Sequence, residues 1–376
     1  MKYPRPKYPS DGTGGYTEVG TQTVRIAYSP VSVTAPKFDT PVTPRENFRR
    51  SIERKDPLWM PNSLTDKITL DANEVALHEV RGMKMHTDFL NKATVDYEFK
   101  DWFNTDWTWV CQAGGAMLTP GTQLIEDITQ WEKTVVFPDL SEWGFREKAA
   151  EFMKTAYDPD KALSYDMGRG MTERLVSIMG GYTDSMEALL LEPEAVADFF
   201  EAYTDFMIRV FDEIYALYPL DIVTVHDDWG TERDTFFSER VMEELVLEPT
   251  RRLVDHIKSS GVFIEWHSCG NVTRFFPYMY QLKCDIAQVQ RRAVDMPKMK
   301  EKFGDRIGFC TGVEGVDPAN PPPLQEYREA VSKTVDIYAP GGGSYLMLYT
   351  PNEELMWNAC TENYCHSREF YDNNRG

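Results

Sequence analysis

No stretch of the chain approaches the roughly 20 consecutive apolar residues that a membrane span needs. The first residues, Met1-Lys2-Tyr3-Pro4-Arg5-Pro6-Lys7, lead into polar, glycine-rich sequence rather than an apolar signal core. A soluble, cytoplasmic protein is therefore expected, with no membrane among its partners. Basic residues are scarce: 40 Lys and Arg stand against 60 Asp and Glu, and the formal charge of -20 would repel a phosphate backbone. No basic cluster stands out against that field, so nucleic acid is not expected as a partner either. Cysteine is thin as well. Six cysteines spread over 376 residues read as buried thiols or metal ligands rather than a disulfide framework.

A glycine-rich dinucleotide fingerprint is also missing, and this bears on the fold. From Phe145 onward strands and helices alternate with short connections. A helix runs through Tyr157, a strand lies near Leu163-Ser164-Tyr165, and a short helix begins near Met171. After Pro193, Val196, Phe199, Phe200, Tyr203, Met207, Val210, Phe211 and Ile214 recur at three-and-four spacing, which predicts a long amphipathic helix ending before Pro219. Then follow a strand at Ile222-Val223-Thr224-Val225, a helix from Ser238 to Ser260, and strands at Val262 to Trp266, Asp285 to Val289, Ile307 to Cys310 and Ser344 to Leu348. So many consecutive units without the fingerprint favour an α/β fold of the (β/α)₈ barrel type over a doubly wound sheet. The barrel is expected over residues 43–376, opened by a helix that Thr43-Pro44-Arg45-Glu46 would cap. Residues 1–42, rich in Pro, Gly, Thr and Ser, read as an extended arm suited to wrapping the domain or a homodimer partner. The stretch from Lys67 to Asp139 shows only short β-like runs such as Trp107-Thr108-Trp109-Val110.

In such barrels chemistry gathers on the loops that follow the strands. His267-x-Cys269-Gly270 falls on one of them, and an imidazole and a thiolate two residues apart can both reach one metal ion, zinc by ligand type. Cys310, at the end of the next strand but one, is the expected third ligand, with Cys360 and Cys365 as competitors. The plainer reading is a hydrogen-bonded core histidine with small buried cysteines. His226-Asp227-Asp228-Trp229 follows another strand, where these groups could accept substrate hydrogen bonds, act as a general acid or add a metal ligand. A helix-capping aspartate in a solvated loop is the alternative. Gly180-Gly181-Tyr182 and Tyr349-Thr350-Pro351 fall on the same rim, as pocket residues or as turns. Arg291 to Asp305 reads as a solvated face. Nine tryptophans and nineteen tyrosines suit a pocket for a flat ring, though ordinary cores use them equally.

Four segments together resemble the uroporphyrinogen decarboxylase superfamily, over nearly everything after Pro41: Thr43-Pro44-Arg45-Glu46-Asn47-Phe48, Asp127-Ile128-Thr129-Gln130-Trp131-Glu132, Asp227-Asp228-Trp229-Gly230 and His267-Ser268-Cys269-Gly270-Asn271. The resemblance implies a (β/α)₈ barrel and one of two chemistries, metal-free porphyrinogen decarboxylation or zinc-dependent methyl transfer with corrinoid proteins. The decarboxylases carry Arg-Gln-Ala-Gly-Arg-Tyr after the first strand, whereas this chain has Trp59-Met60-Pro61-Asn62-Ser63-Leu64 and no arginine to clamp a polycarboxylate. His267-x-Cys269 matches half of the methyltransferase metal motif. Where that branch places a later cysteine after the last strand, this chain reads Leu348-Tyr349-Thr350-Pro351, so Cys310 or a carboxylate would stand in its place. What the resemblance implies is a cobalamin-dependent methyltransferase with Zn2+ on His267, Cys269 and Cys310. Asp227, Asp228 and His226 would orient the substrate or supply a proton, and Trp229, Tyr182, Tyr349, Met60 and Asn62 would line the pocket. The donor would be a small methylated molecule, preferably an aryl methyl ether undergoing O-demethylation, and the acceptor a corrinoid on a partner protein. A lyase acting on a carboxylic substrate and a non-catalytic tetrapyrrole- or corrinoid-binding barrel are the rival readings.

Overall fold

The computed structural model describes residues 17–26, 32–70, 72–76, 95–112, 115–318, 320–348 and 352–374. Its centre is a curled parallel sheet of seven strands, in the order β12-β11-β10-β9-β8-β7-β3. In chain order these are β3 (Lys67–Leu70), β7 (Ala162–Met167), β8 (Ile222–His226), β9 (Phe263–Ser268), β10 (Ile286–Val289), β11 (Gly308–Thr311) and β12 (Tyr345–Leu346). Just before β3, Asn62 bridges in parallel to Leu346 of β12, so the two edges of the sheet meet. Two backbone bonds accompany that bridge, Ser63 N to Leu346 O at 2.9 Å and Leu346 N to Pro61 O at 2.8 Å. The fold is thus TIM-barrel-like, with seven parallel strands among the described residues.

Helices cover the sheet for the reasons their sequences suggest. Thr43 caps α1 (Pro44–Glu53) by accepting from Glu46 N, while the Glu46 carboxylate turns away to Arg50, so only one arm of the capping box forms. After α2 (Met171–Ile178), the long α3 (Pro193–Tyr215) buries every residue of the predicted apolar stripe. The predicted helix from Ser238 forms as Glu239–Val241, a π-helical turn Met242–Val246 and α4 (Leu247–Ser259) in succession. Pro249 lacks the N–H that a regular turn would use, and the wider turn ahead of it relieves that mismatch. Farther on come α5 (Met296–Phe303), α6 (Leu324–Tyr338) and α7 (Glu353–Asn373). The segment expected to be a solvated face contains α5, which is solvated on one side and buries Met296, Met299 and Phe303 on the other. Among the described residues no helix is long and apolar enough to cross a membrane.

Two additions flank the sheet. The described part of the expected arm forms an antiparallel pair, β1 (Glu18–Arg25) and β2 (Ser32–Phe38), whose Val24, Val33 and Ala35 are buried and whose Phe38 ring stacks on Tyr364 of α7 at 4.3 Å. Within the stretch that showed little pattern, β4 (Tyr97–Lys100), β5 (Asp106–Val110) and β6 (Gly115–Leu118) form an antiparallel meander. It is tied to α2 by a buried ion pair between Asp101 and Arg174 at 2.7 Å, and Arg169, in the loop after β7, lies 3.5 Å over the Trp107 ring.

Candidate metal centre

Neighbouring strands β8 and β9 run in register, His226 opposite His267, and the two imidazoles stack with centroids 4.3 Å apart. The alternation of faces carries on past the strand ends, for two residues after β8 and one after β9. His226 and Asp228 face the mouth with Asp227 turned away, and His267 and Cys269 face it with Ser268 turned away. The Ser268 hydroxyl accepts from Trp229 N at 2.9 Å, and Cys269 N donates to Asp228 Oδ1 at 2.6 Å, which laces the two loops together. Gly270, at φ +78°, permits their close approach, since a Cβ there would lie 2.1 Å from Gly230 O.

Three donors converge as a result. His267 Nε2 lies 3.4 Å from Cys269 Sγ and 3.7 Å from Asp228 Oδ1, and the ligand atoms of all three lie within 4.8 Å of one another. Tetrahedral zinc with bonds of about 2.0 Å to nitrogen or oxygen and about 2.3 Å to sulfur would hold such atoms roughly 3.3–3.6 Å apart. The donor set fits the ion, with a carboxylate in the place expected for Cys310. That thiol is buried, 3.7 Å from Gln288 Nε2 and 3.7 Å from Met347 Sδ. Strand β10 separates it from β9, and the Gln288 side chain fills the space between, so Cys310 does not join the cluster. Cys360 and Cys365 are buried in α7 and lie outside it too.

Electrostatics suit the same role. Burial, and next the charge of the stacked His226, press His267 down to about 4, so its ring could offer a cation a neutral lone pair at physiological pH. Burial works against charge on His226, but the Asp166 carboxylate bonded to its Nε2, with Glu173 and Asp228 behind, raises its pKa overall. Burial and then the Asp228 and Glu173 carboxylates push the Cys269 thiol up, a penalty that a cation in the cluster would reverse. Burial, then Asp228, lifts Glu173 to about 8.

Several expected site residues serve the architecture instead. Asp227 is fully buried and accepts from Thr172 N (3.2 Å), Thr172 Oγ1 (2.6 Å), Glu173 N (2.9 Å) and Trp229 Nε1 (3.0 Å), holding the first turn of α2. With its oxygens so engaged it is not free to act on a substrate. Trp229 is equally enclosed, packed on Trp266 at 4.7 Å. Met60 is fully buried and bonds by its backbone to Ser367 and Asn363. Asn62 is spent on its own turn, bonding Leu64 N, Thr65 N and the Thr65 hydroxyl. None of these three lines an open pocket. Tyr182 is 43% exposed and stacks on Phe236 at 4.3 Å. Its pKa is raised by burial and by Glu173, Asp228 and Cys269, so it belongs to the mouth. Tyr349 lies outside the described residues. Asp166, Glu173, Gln288 and Gln290, whose Oε1 accepts from Gly270 N at 3.0 Å, were not anticipated, although a signal existed: Asp166 is a charged residue inside a wholly buried strand and Gln288 the one polar residue of its strand.

Known proteins agree with this architecture. Residues 145–314, which span β7 to the loop after β11, match the family model of uroporphyrinogen decarboxylase (URO-D). Over that stretch the chain is similar to URO-D. The resemblance read from the sequence is borne out over these residues, which include the Asp227–Gly230 and His267–Asn271 segments. Among solved structures, a methyltransferase from Methanosarcina mazei superposes with a TM-score of 0.55 over 88% of this chain and 99% of its own, at 12% identity. At that identity the likeness speaks for the fold alone. No curated protein matches the URO-D-like chain in sequence.

Proposed function

We propose that this URO-D-like protein is a zinc methyltransferase that moves a methyl group between a small methylated substrate and the cobalt of a corrinoid carried by a partner protein. The convergence of His267 Nε2, Cys269 Sγ and Asp228 Oδ1 at the mouth carries this reading. Those three side chains would hold the ion, and bound there it would supply Lewis acidity toward the oxygen or sulfur that gives up or receives the methyl group. His267 contributes a neutral lone pair, while Cys269 and Asp228 bring the negative charge that balances the cation. Glu173, whose carboxyl pKa is raised first by burial, would hand a proton to the departing heteroatom. The exposed Tyr182 ring, stacked on Phe236, gives a flat donor a face to lie on, which favours an aryl methyl ether.

The test is methyl transfer to free cob(I)alamin, followed by its colour change, from aryl methyl ethers and then from methanol, methyl thioethers and methylamines. Zinc content is measured on the same preparation. The expected result is stoichiometric zinc and methylcobalamin formation with an aryl ether. Retention of no divalent metal, or transfer from none of the donors by zinc-loaded protein, overturns the reading.

A further inference from the structure

Beneath the three donors a hydrogen-bonded column descends into the barrel interior. His267 Nδ1 lies 2.7 Å from Gln288 Oε1, and Gln288 Nε2 lies 2.5 Å from Glu265 Oε1. Glu265 is fully buried and also accepts from the hydroxyls of Tyr345 at 3.0 Å and Thr224 at 3.4 Å. The ammonium of Lys67 stands 3.8 Å from its other oxygen and 3.1 Å from the Tyr345 hydroxyl. Five strands, β3, β8, β9, β10 and β12, therefore supply one polar cluster. A buried ion pair of this kind adds little stability over well-packed apolar residues. What it does here is to fix a carboxylate directly below the Gln288 amide.

We propose that Glu265 and Gln288 are positioning residues that set the tautomer and tilt of His267, so that its bare Nε2 faces Cys269 and Asp228. The inference rests on the metal reading of those three donors. A carboxylate only accepts hydrogen bonds, so the amide end facing Glu265 is the NH2. The other end is then the carbonyl oxygen, which also only accepts, so its 2.7 Å contact with His267 requires a proton at Nδ1. A ring bonded in that way can meet a cation only through the lone pair of Nε2. With the amide reversed, its oxygen would meet the Glu265 carboxylate at hydrogen-bond distance with no proton between them. Glu265 thus dictates which way Gln288 points, and Gln288 dictates which nitrogen of His267 binds. Outer partners of this kind govern metal affinity by holding the ligand in its binding form.

Two measurements test this. In metal-free, 15N-histidine-labelled protein, long-range proton–nitrogen correlation reports the tautomer of His267, with His267→Gln supplying the assignment. The expectation is a proton on Nδ1 in the wild type and loss of that preference in Gln288→Leu. Glu265→Gln, whose amide can present either end, should give a mixture. Zinc affinity, read by competition with a chromophoric chelator, should fall roughly 10–100-fold in Gln288→Leu at nearly unchanged melting temperature. A wild-type proton on Nε2 overturns the proposal without need of any variant, and so does a folded Gln288→Leu protein that binds zinc within twofold of wild type. Should the wild type bind no zinc, the metal reading fails, and the tautomer measurement still decides the part played by Gln288.

Discussion

The loops after β8 and β9 lie side by side, begin with imidazoles that stack, and reach a glycine within four residues, yet they divide their polar groups differently. The β9 loop turns both of its proposed metal ligands, His267 and Cys269, to the mouth and keeps only Ser268 behind. In the β8 loop, Asp227 and Trp229 are drawn into the wall, where they hold α2 and pack the core. Two adjacent carboxylates of the same kind thus take separate places, Asp228 facing the mouth beside His267 and Cys269 and Asp227 as mortar. A period of two carried past the strand end decides which is which.

The sharpest way to break that contrast is to remove a donor. Cys269→Ala or His267→Ala should weaken zinc binding by about 100-fold or more, as metal analysis after dialysis against a chelator would show, with the melting temperature little altered. If zinc survives in both variants, the three donors are not its site. Next come the twin aspartates. Asp227→Ala leaves four donors without their buried acceptor and should lower the unfolding free energy by about 2–4 kcal/mol in urea titrations. Asp228→Ala should stay within about 1 kcal/mol of wild type and lose roughly 10–100-fold in zinc affinity. Equal effects of the two substitutions on stability would erase the distinction. Gly270→Ala meets a left-handed backbone and the carbonyl of Gly230 together, so a loss of roughly 1–3 kcal/mol is expected, accompanied by weaker zinc binding as the loops are pushed apart. Cys310→Ser should have the smallest effect on the metal, leaving zinc stoichiometry and affinity as they were. A Cys310→Ser protein stripped of zinc would return that thiol to the centre.

Much of this was legible without coordinates. The strands and helices from Phe145 onward, the long stripe of α3 and the pairing of His267 with Cys269 follow from apolar periodicity and from the rule that barrel chemistry sits after the strands. The third donor was harder to see. Cys310 is plausible by residue type, but nothing in one dimension shows that Gln288 fills the space between β9 and β11. Applying strand alternation to both loops and aligning His226 with His267 would have set Asp228 against Cys269. Met60 and Asn62 misled for another reason: their segment lies just before the first strand of the sheet, yet its polar atoms are consumed by a turn and by contacts with α7. The meander of β4 to β6 is built from strands of four or five residues around isolated tryptophans, too short for a period to declare itself.

The ring of strands has a clasp. Among the described residues its edges join through Asn62 and Leu346 by one bridge with two backbone bonds, whereas β9 is the middle strand of seven, three from either edge. Any breathing of the barrel therefore concentrates at the clasp, and the strand that bears His267 is the one it displaces least. Gaping at the clasp would leave the spacing of His267, Cys269 and Asp228 on the opposite side of the ring unchanged.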